Sequence, residues 1–291
     1  QWVMAVYEIL NEGKPEKQKT IAFYTSPDLR AWTHQSNLDG FHECPELFEL
    51  PVDGDTTNTR WVVYGGNNEY MIGQFDGKAF TPEGGLHKGN HGNCLYAAQT
   101  FSDIPETDGR RIEIGWGRVG DKSMPFNQIM AFPTSLSLRT TPEGIRLFKE
   151  PVREIEELHD RSKTWEDVAI TPGSNPLEGV RGELLHLEAT IAPQDGKTVT
   201  LNLRGVPIVY DATSQTLRCA DMEAPLPMED GIIHLEVLVD RLIVEIFGNQ
   251  GAVYMPIGVT PDLENKDVSL TVDSGTAKAK SLTVRTLKSA W

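Results

Sequence analysis

The chain has 291 residues, 39% of them hydrophobic and 24% charged, which suits a globular protein with room for two domains. Its formal net charge of −15 at pH 7 disfavours a nucleic acid or an anionic membrane as a partner, but it is compatible with a neutral sugar. No apolar run approaches the roughly 20 residues of a membrane span. Three cysteines, Cys44, Cys94 and Cys219, indicate no disulfide framework. We therefore predict no nucleic-acid partner and no membrane association.

Short strands separated by turn residues dominate the first half of the sequence, with almost no helical periodicity. They form one group of three strands (residues 2–33) and two groups of four (residues 43–83 and 93–151). A repeat of four strands is typical of β-propeller blades, so residues 1–150 are predicted to form about two and three-quarter blades. Because a propeller needs at least four blades to close, we expect the chain to start part-way through a larger protein.

The second half of the sequence has a different organisation. Residues 151–168 are predicted to be a linker with a short helix, because Pro151 suits a first turn and Val152, Ile155 and Leu158 share one face. Residues 169–291 contain about eight or nine strands without a four-strand repeat, which predicts a β-sandwich domain. Within it, residues 240–241 lie between two alternating runs and predict a tight hairpin.

Residues 40–48 carry the most distinctive chemistry. Glu43 lies where a turn opens into an apolar strand, beside Cys44 and ahead of Pro45. Enclosure by apolar neighbours would raise the pKa of this carboxyl, so that it could hold a proton near neutral pH and act as an acid/base catalyst. One alternative is a simple exposed glutamate ahead of a strand. Another is a nucleophilic thiol at Cys44, with His42 as its base.

Three further side chains suit recognition of a sugar. Trp116 ends a strand between two glycines, where its indole can lie against a sugar face, although a core position explains it equally well. Asn90 and His91 supply hydrogen-bonding groups in a loop before a predicted inner strand, where a structural turn is the alternative. No cofactor or metal site is predicted: residues 115–120 match G-x-G-x-x-G, but the sequence that follows cannot open a phosphate-binding helix.

Several motifs, in order along the chain, resemble glycoside hydrolase family 32, the β-fructosidases (invertase, inulinase and levanase). Residues 43–45 are similar to its acid/base motif, and residues 26–32 to its S-x-D-L-x-x-W blade ending. Residues 96–101 are similar to the strand that opens its last blade, and residues 239–249 to the hallmark of its C-terminal sandwich. The resemblance spans essentially the whole chain. It implies an all-β fold, the C-terminal part of a five-bladed propeller followed by a β-sandwich.

The resemblance also implies a function: retaining hydrolysis of β-fructofuranosides such as sucrose, inulin or levan, without a cofactor. Glu43 carries over as the acid/base. The substrate-binding residues are expected to be Cys44, Asn90, His91 and Trp116. A substrate of this kind implies a secreted, periplasmic or cell-surface enzyme whose partner is a fructose-containing oligo- or polysaccharide.

Two departures from the family pattern limit what this chain can do alone. The nucleophile belongs to a W-[ML]-N-D-P-N-G motif in the family, and neither that motif nor the family's R-D-P motif occurs here. We therefore expect the chain alone to be inactive or nearly so, and unpaired propeller edges to favour association. The alternatives are a non-catalytic fructan-binding or interaction module and a five-bladed arabinan hydrolase. Residues 239–249 argue against the arabinan hydrolase.

Overall fold

The computed structural model describes residues 1–121, 124–260, 262 and 264–290, and nearly all of its regular structure is β-strand. No helix in these ranges is both long enough and apolar enough to cross a membrane. The chain divides into two compact units. The first unit contains Gln1–Asn90, Leu95–Trp116 and Pro133–Phe148, and the second contains His91–Cys94, Gly117–Phe132 and Lys149–Trp291.

The first unit begins with a three-stranded antiparallel sheet. Its strands, in spatial order, are β1 (Trp2–Leu10), β2 (Gln18–Ser26) and β3 (Thr33–Asp39). The strand predicted at residues 32–33 is therefore longer than the sequence indicated. Its central residues are polar and none of residues 34–37 is fully buried, which leaves little apolar alternation to extend the prediction.

Two groups of four strands follow, as the sequence predicts. The first group is β4 (Glu46–Val52), β5 (Asp55–Tyr64), β6 (Glu69–Phe75) and β7 (Phe80–Pro82), hydrogen-bonded in chain order. After the short β8 (His87–Lys88), the second group is β9 (Leu95–Thr100), β10 (Arg111–Gly117), β12 (Thr134–Thr141) and β13 (Gly144–Pro151). Another short strand, β11 (Ile129–Met130), precedes β12 in the chain.

Apolar side chains pack on both faces of the β4–β7 group. One core joins it to the first sheet and includes Ile21, Phe23, Leu38, Phe41, Val63 and Phe80. The other joins it to the next four-stranded group and includes Phe48, Leu50, Val62, Tyr64, Leu136 and Leu138. Phe41 is 1% exposed, so the chain is anchored two residues before Glu43. Stacking of four-stranded sheets face to face is the packing of propeller blades.

The predicted linker is shorter in the structure. A 3₁₀ helix covers Arg153–Leu158, with Val152 and Ile155 buried, but β14 (His159–Ile170) then runs through the rest of the predicted linker. The linker prediction is therefore wrong beyond residue 158. β14 is the edge strand of its sheet and most of its side chains are exposed, so its sequence lacks the apolar alternation that would reveal a strand. The domain limits 1–150 and 169–291 stay predictions.

The rest of the second unit forms two packed sheets. Their strands are β15 (Leu185–Ala192), β16 (Thr198–Leu203), β17 (Val206–Asp211), β18 (Thr216–Cys219), β19 (Met222–Pro225), β20 (Ile233–Val239), β21 (Ile243–Gly248), β22 (Val253–Gly258), β23 (Val268–Val272) and β24 (Ala277–Leu287). The sheet orders are β14-β24-β15-β20-β21-β22 and β19-β18-β17-β16-β23. One large apolar core draws on both sheets. The predicted hairpin is confirmed, since the Asp240 N–H donates to the Ile243 carbonyl at 3.0 Å.

Candidate active site

Glu43 lies in the loop between β3 and β4, on an unusual stretch of backbone. Both Glu43 and Cys44 are left-handed, with φ of 52° and 41°. Each such residue costs about 1–2 kcal/mol when it carries a side chain. The loop is held by Gly66, whose N–H lies 2.8 Å from the carbonyl oxygens of both His42 and Glu43. Strained residues fixed in this way are frequent at functional sites.

Tyr96, on β9, holds the carboxyl group of Glu43. Its hydroxyl donates to Glu43 Oε2 at 2.5 Å. Its ring meets the Trp116 ring edge to face, with centroids 6.1 Å apart and planes at 71°. Glu43 thereby shares one polar and aromatic cluster with Trp116. The Glu43 side chain is 47% exposed, which is less enclosure than the sequence predicts.

His42 connects this cluster to the first sheet. Its Nε2 is 3.9 Å from Glu43 Oε2, while its Nδ1 is 3.2 Å from both the Tyr7 hydroxyl and Lys19 Nζ. Burial, and then the charge of Glu43, raise the pKa of Tyr7. The Tyr7 hydroxyl therefore stays protonated near neutral pH, and its strand β1 supplies a polar group beside the loop that carries Glu43.

Cys44 is half-buried next to Glu43. Burial, and then the negative charge of Glu43, raise the pKa of the Cys44 thiol. A protonated thiol is a poor nucleophile. The hypothesis of a cysteine nucleophile therefore loses support, and Cys44 is better suited to a neutral contact.

Two more carboxyl groups lie on the strands that carry the site. Thr100 donates to Glu46 at 2.9 Å, and burial raises the pKa of Glu46. Glu113, on β10, is 2% exposed and accepts hydrogen bonds from Asn68 at 3.2 Å and Thr134 at 3.4 Å. These bonds connect strands near Glu43 and Trp116, so we interpret both groups as structural support.

The other predicted substrate-binding residues lie in different environments. Trp116 is 39% exposed on β10, which leaves its indole accessible. Asn90 is half-buried after β8 in the first unit. His91 belongs to the second unit, where its N–H donates to the Tyr254 carbonyl at 2.7 Å. A binding role for Cys44, Asn90, His91 or Trp116 stays a prediction.

Sequence reasoning missed Tyr96 and Gly66 as parts of the site. Both were visible, Tyr96 in a family-like motif and Gly66 after a strand, but nothing in their spacing predicts contact with Glu43. A Cβ on Gly66 would lie 3.0 Å from the His42 carbonyl oxygen and 3.2 Å from the Tyr96 ring. Glycine suits this position because a Cβ would push one of these neighbours away by a few tenths of an ångström.

This arrangement can carry out acid/base chemistry on a sugar. A solvent-accessible carboxyl held by a phenol can exchange a proton with a bound oxygen atom. An exposed indole nearby can pack on the apolar face of a sugar ring. Propeller blades with such a site, followed by a sandwich, are the features of a glycoside hydrolase.

Comparison with known protein families also identifies a glycoside hydrolase. Residues 1–151 match the model described as "Glycosyl hydrolases family 32 N-terminal domain", and residues 154–286 match "Glycosyl hydrolases family 32 C terminal". The chain belongs to glycosyl hydrolase family 32. The resemblance inferred from the sequence motifs is confirmed.

Comparison with individual relatives shows how much of their length this chain covers. A levanase from Bacillus subtilis (strain 168) is 32% identical over 93% of this chain and 47% of its own length. An extracellular exo-inulinase from Aspergillus niger is 25% identical over 93% of this chain and 60% of its own length. The chain thus spans about half the length of these curated relatives.

A solved structure supports the fold. A fructofuranosidase variant from Schwanniomyces occidentalis, complexed with fructosylnystose, matches with a TM-score of 0.83 at 19% identity. The match covers 99% of this chain and 68% of that one. The predicted fold, part of a five-bladed propeller followed by a β-sandwich, is confirmed.

Proposed function

We propose that the chain is part of a retaining glycoside hydrolase that releases fructose from β-fructofuranosides, with Glu43 as its acid/base. The observation that carries this proposal is the hydrogen bond of 2.5 Å from the Tyr96 hydroxyl to the Glu43 carboxyl, on backbone held by Gly66. Family membership supports the reaction class.

Glu43 acts twice in the proposed reaction. It first protonates the glycosidic oxygen while a nucleophilic carboxylate attacks the anomeric carbon, giving a covalent fructosyl ester and a free leaving group. It then takes a proton from water, which attacks the ester and releases fructose. Tyr96 keeps the carboxyl in position through both steps. Trp116 packs on the fructosyl ring, and Cys44, Asn90 and His91 are the other proposed substrate-binding residues.

In this proposal the nucleophile belongs to a part of the protein other than these 291 residues. A retaining site places its two carboxyl groups about 5–5.5 Å apart, and the family's nucleophile motif does not occur in this sequence. We therefore propose that the chain alone is inactive or nearly so. A W-x-N-D-P-N-G motif in the coding DNA upstream of Gln1 would support this division of the site.

The relatives also support a substrate class and a location. A fructosidase was solved with a fructose-containing oligosaccharide, and the exo-inulinase is named as extracellular. We propose that the substrate is a fructose-containing oligo- or polysaccharide and that the protein acts outside the cytoplasm. β1 pairs only with β2 among the described strands, so its free edge is the proposed place of association.

The experiment compares two glutamate variants in a protein extended by its upstream coding sequence. Glu43→Gln is expected to lower hydrolysis of sucrose, inulin and levan by about 10²–10⁴-fold. The matched control is Glu49→Gln, on the exposed side of β4, which should retain the parent rate. Parent-like activity of Glu43→Gln, or stable activity of the 291-residue chain alone, would refute the proposal. Fructan binding by an inactive extended protein would favour the non-catalytic module.

A further inference from the structure

A polar cluster lies on one sheet of the second unit, and none of its residues belongs to the proposed fructosidase site. His186 and Glu188 are two residues apart on β15 and therefore point to the same face. Glu236 on β20 is the register partner of Glu188, and Arg285 on β24 is the partner of His186. Three adjacent strands thus bring imidazole, carboxylate and guanidinium groups together.

The contacts in this cluster are specific. His186 is 3% exposed, and both of its ring nitrogens have partners. Its Nε2 is 2.8 Å from Glu236 Oε1, and its Nδ1 is 2.9 Å from Nε2 of His159. Arg285 Nη1 donates to one oxygen of Glu188. His159 follows the 3₁₀ helix, so the cluster connects that helix to the sheet.

The charges are not balanced by these contacts. Two carboxylates placed directly opposite each other across a strand pair repel, and Glu188 and Glu236 have this arrangement. Arg285 supplies one positive charge, so the cluster keeps a net negative charge when both histidines are neutral. A cavity of ≈ 390 Å³ adjoins these side chains and gives room for an additional ligand.

The geometry suits a small cation. One donor atom each from His186, Glu188 and Glu236 lies within 4.8 Å of the others. Zinc takes imidazole nitrogen at about 2.0–2.1 Å and carboxylate oxygen at about 2.0–2.2 Å, usually in a tetrahedron. Two donors on such an ion are about 3.3 Å apart. The His186–Glu236 contact of 2.8 Å would therefore widen slightly, and the longer separations in the group, which reach at most 4.8 Å, would shorten.

We propose that His186 Nε2 and the carboxylates of Glu188 and Glu236 bind a zinc ion, with a water molecule as fourth ligand. His186 Nδ1–H would then donate to His159, the outer hydrogen bond that orients most metal-binding histidines. Arg285 occupies only one of the two oxygens of Glu188 and leaves the other as a donor. The imidazole favours zinc over magnesium or calcium, which prefer oxygen ligands.

The proposed ion would stabilise the junction between the 3₁₀ helix and the sandwich. It links β15 and β20 directly, and through His186 it fixes His159 at the end of the helix. The sequence predicted no metal site, because the ligands are dispersed over residues 186–236, in two strands that are far apart in the chain. This inference is independent of the proposed fructosidase activity.

The test is a titration of the chelator-treated 291-residue chain with zinc chloride and, in parallel, magnesium chloride. Calorimetry should give saturable binding of one zinc ion per chain, and the thermal midpoint should rise with zinc but not with magnesium. Glu236→Gln and Glu188→Gln should each weaken zinc binding by more than about 100-fold, because a direct ligand contributes more than an outer partner. His159→Gln should weaken it by about 10–100-fold, as is usual for an outer partner.

The control is His34→Gln, which removes an exposed histidine of the first unit and should leave zinc affinity unchanged. Both glutamate variants remove partly exposed groups without opening a cavity, and circular dichroism checks that each is folded. Absence of saturable binding to the parent would overturn the proposal. Parent-like affinity in both folded glutamate variants would also do so, because the zinc would then be bound elsewhere.

Discussion

Two glutamates, one in each unit, show how differently the fold uses the same side chain. Glu43 lies on left-handed loop backbone, is 47% exposed and is held by the Tyr96 hydroxyl. Glu245 lies within the regular strand β21 and is 3% exposed. Its carboxyl accepts hydrogen bonds from the Tyr254 hydroxyl at 2.6 Å and the Phe132 N–H at 3.0 Å.

This difference shows that a raised pKa alone does not identify a catalytic acid. Burial raises the pKa of Glu245 to about 7, which would suit a general acid. Yet a carboxyl enclosed on a regular strand cannot reach a substrate, whereas Glu43 combines solvent access with a strained and firmly held backbone. We therefore propose a catalytic role for Glu43 and a structural role for Glu245.

The largest expected effect concerns Glu245 and pH. Because its folded pKa of about 7 lies above the ordinary value of 4.5, the folded state binds the proton more tightly than the unfolded state. The free energy of unfolding should therefore fall as pH rises from about 4.5 to about 7, by about 3 kcal/mol. Glu245→Gln should remove most of this slope in urea unfolding of the 291-residue chain. An unchanged slope would show that Glu245 is not the group responsible.

The next effect concerns the close approach at Gly66. Gly66→Ala places a methyl group 3.0 Å from the His42 carbonyl oxygen, so the loop that carries Glu43 has to move. The required shift is a few tenths of an ångström. Because a displacement of about 1 Å at a reacting group costs about 100-fold in rate, kcat/KM of the extended protein should fall by more than about tenfold but less than about 100-fold. Gly85→Ala is the control, since its added Cβ meets nothing within 4 Å. Equal activity of the two variants would show that the close approach at Gly66 is not needed to position Glu43.

A smaller effect is expected from Tyr96→Phe. This change removes the hydroxyl that holds Glu43 but keeps the ring that meets Trp116. The kcat of the extended protein should fall about tenfold, because one hydrogen bond to a charged group is lost. Tyr24→Phe removes a comparable hydroxyl, which donates to Glu8 on the first sheet. Its kcat should remain at the parent value. If both variants lose activity equally, the Tyr96 contact has no special role.

The smallest expected effect is the contribution of Glu43 to the stability of the fold. Glu43→Gln should change the free energy of unfolding by less than about 0.5 kcal/mol, because the side chain is half exposed and has little packing to lose. Urea unfolding at pH 7 measures this change. A loss above about 2 kcal/mol would mean that Glu43 is a structural residue.

Most of the fold could be predicted because it follows from local pattern. The four-strand groups and the sandwich strands alternate apolar and polar residues, and the 240–241 hairpin lies between two such runs. β14 could not be predicted because an edge strand with exposed side chains shows almost no alternation of apolar and polar residues. Its register with β24 comes from backbone pairing, which leaves no trace in residue type.

The site could be predicted only in part. Glu43 could be proposed from the sequence because its motif is local, whereas Tyr96 and Gly66 meet it only after distant segments pack together. The His186 cluster was missed for the same reason, since its members come from β15, β20 and the end of the 3₁₀ helix. Contacts between distant segments depend on register and packing, which a single sequence does not specify.

The most direct test of the central claim compares two leaving groups in Glu43→Ala of the extended protein. Sucrose needs a proton on its departing oxygen, whereas fructosyl fluoride releases fluoride, which needs much less help. Pre-steady-state rates of the first step should fall about 10²–10⁴-fold on sucrose and far less on the fluoride. Equal losses on both substrates would contradict the assignment of Glu43 as the proton donor.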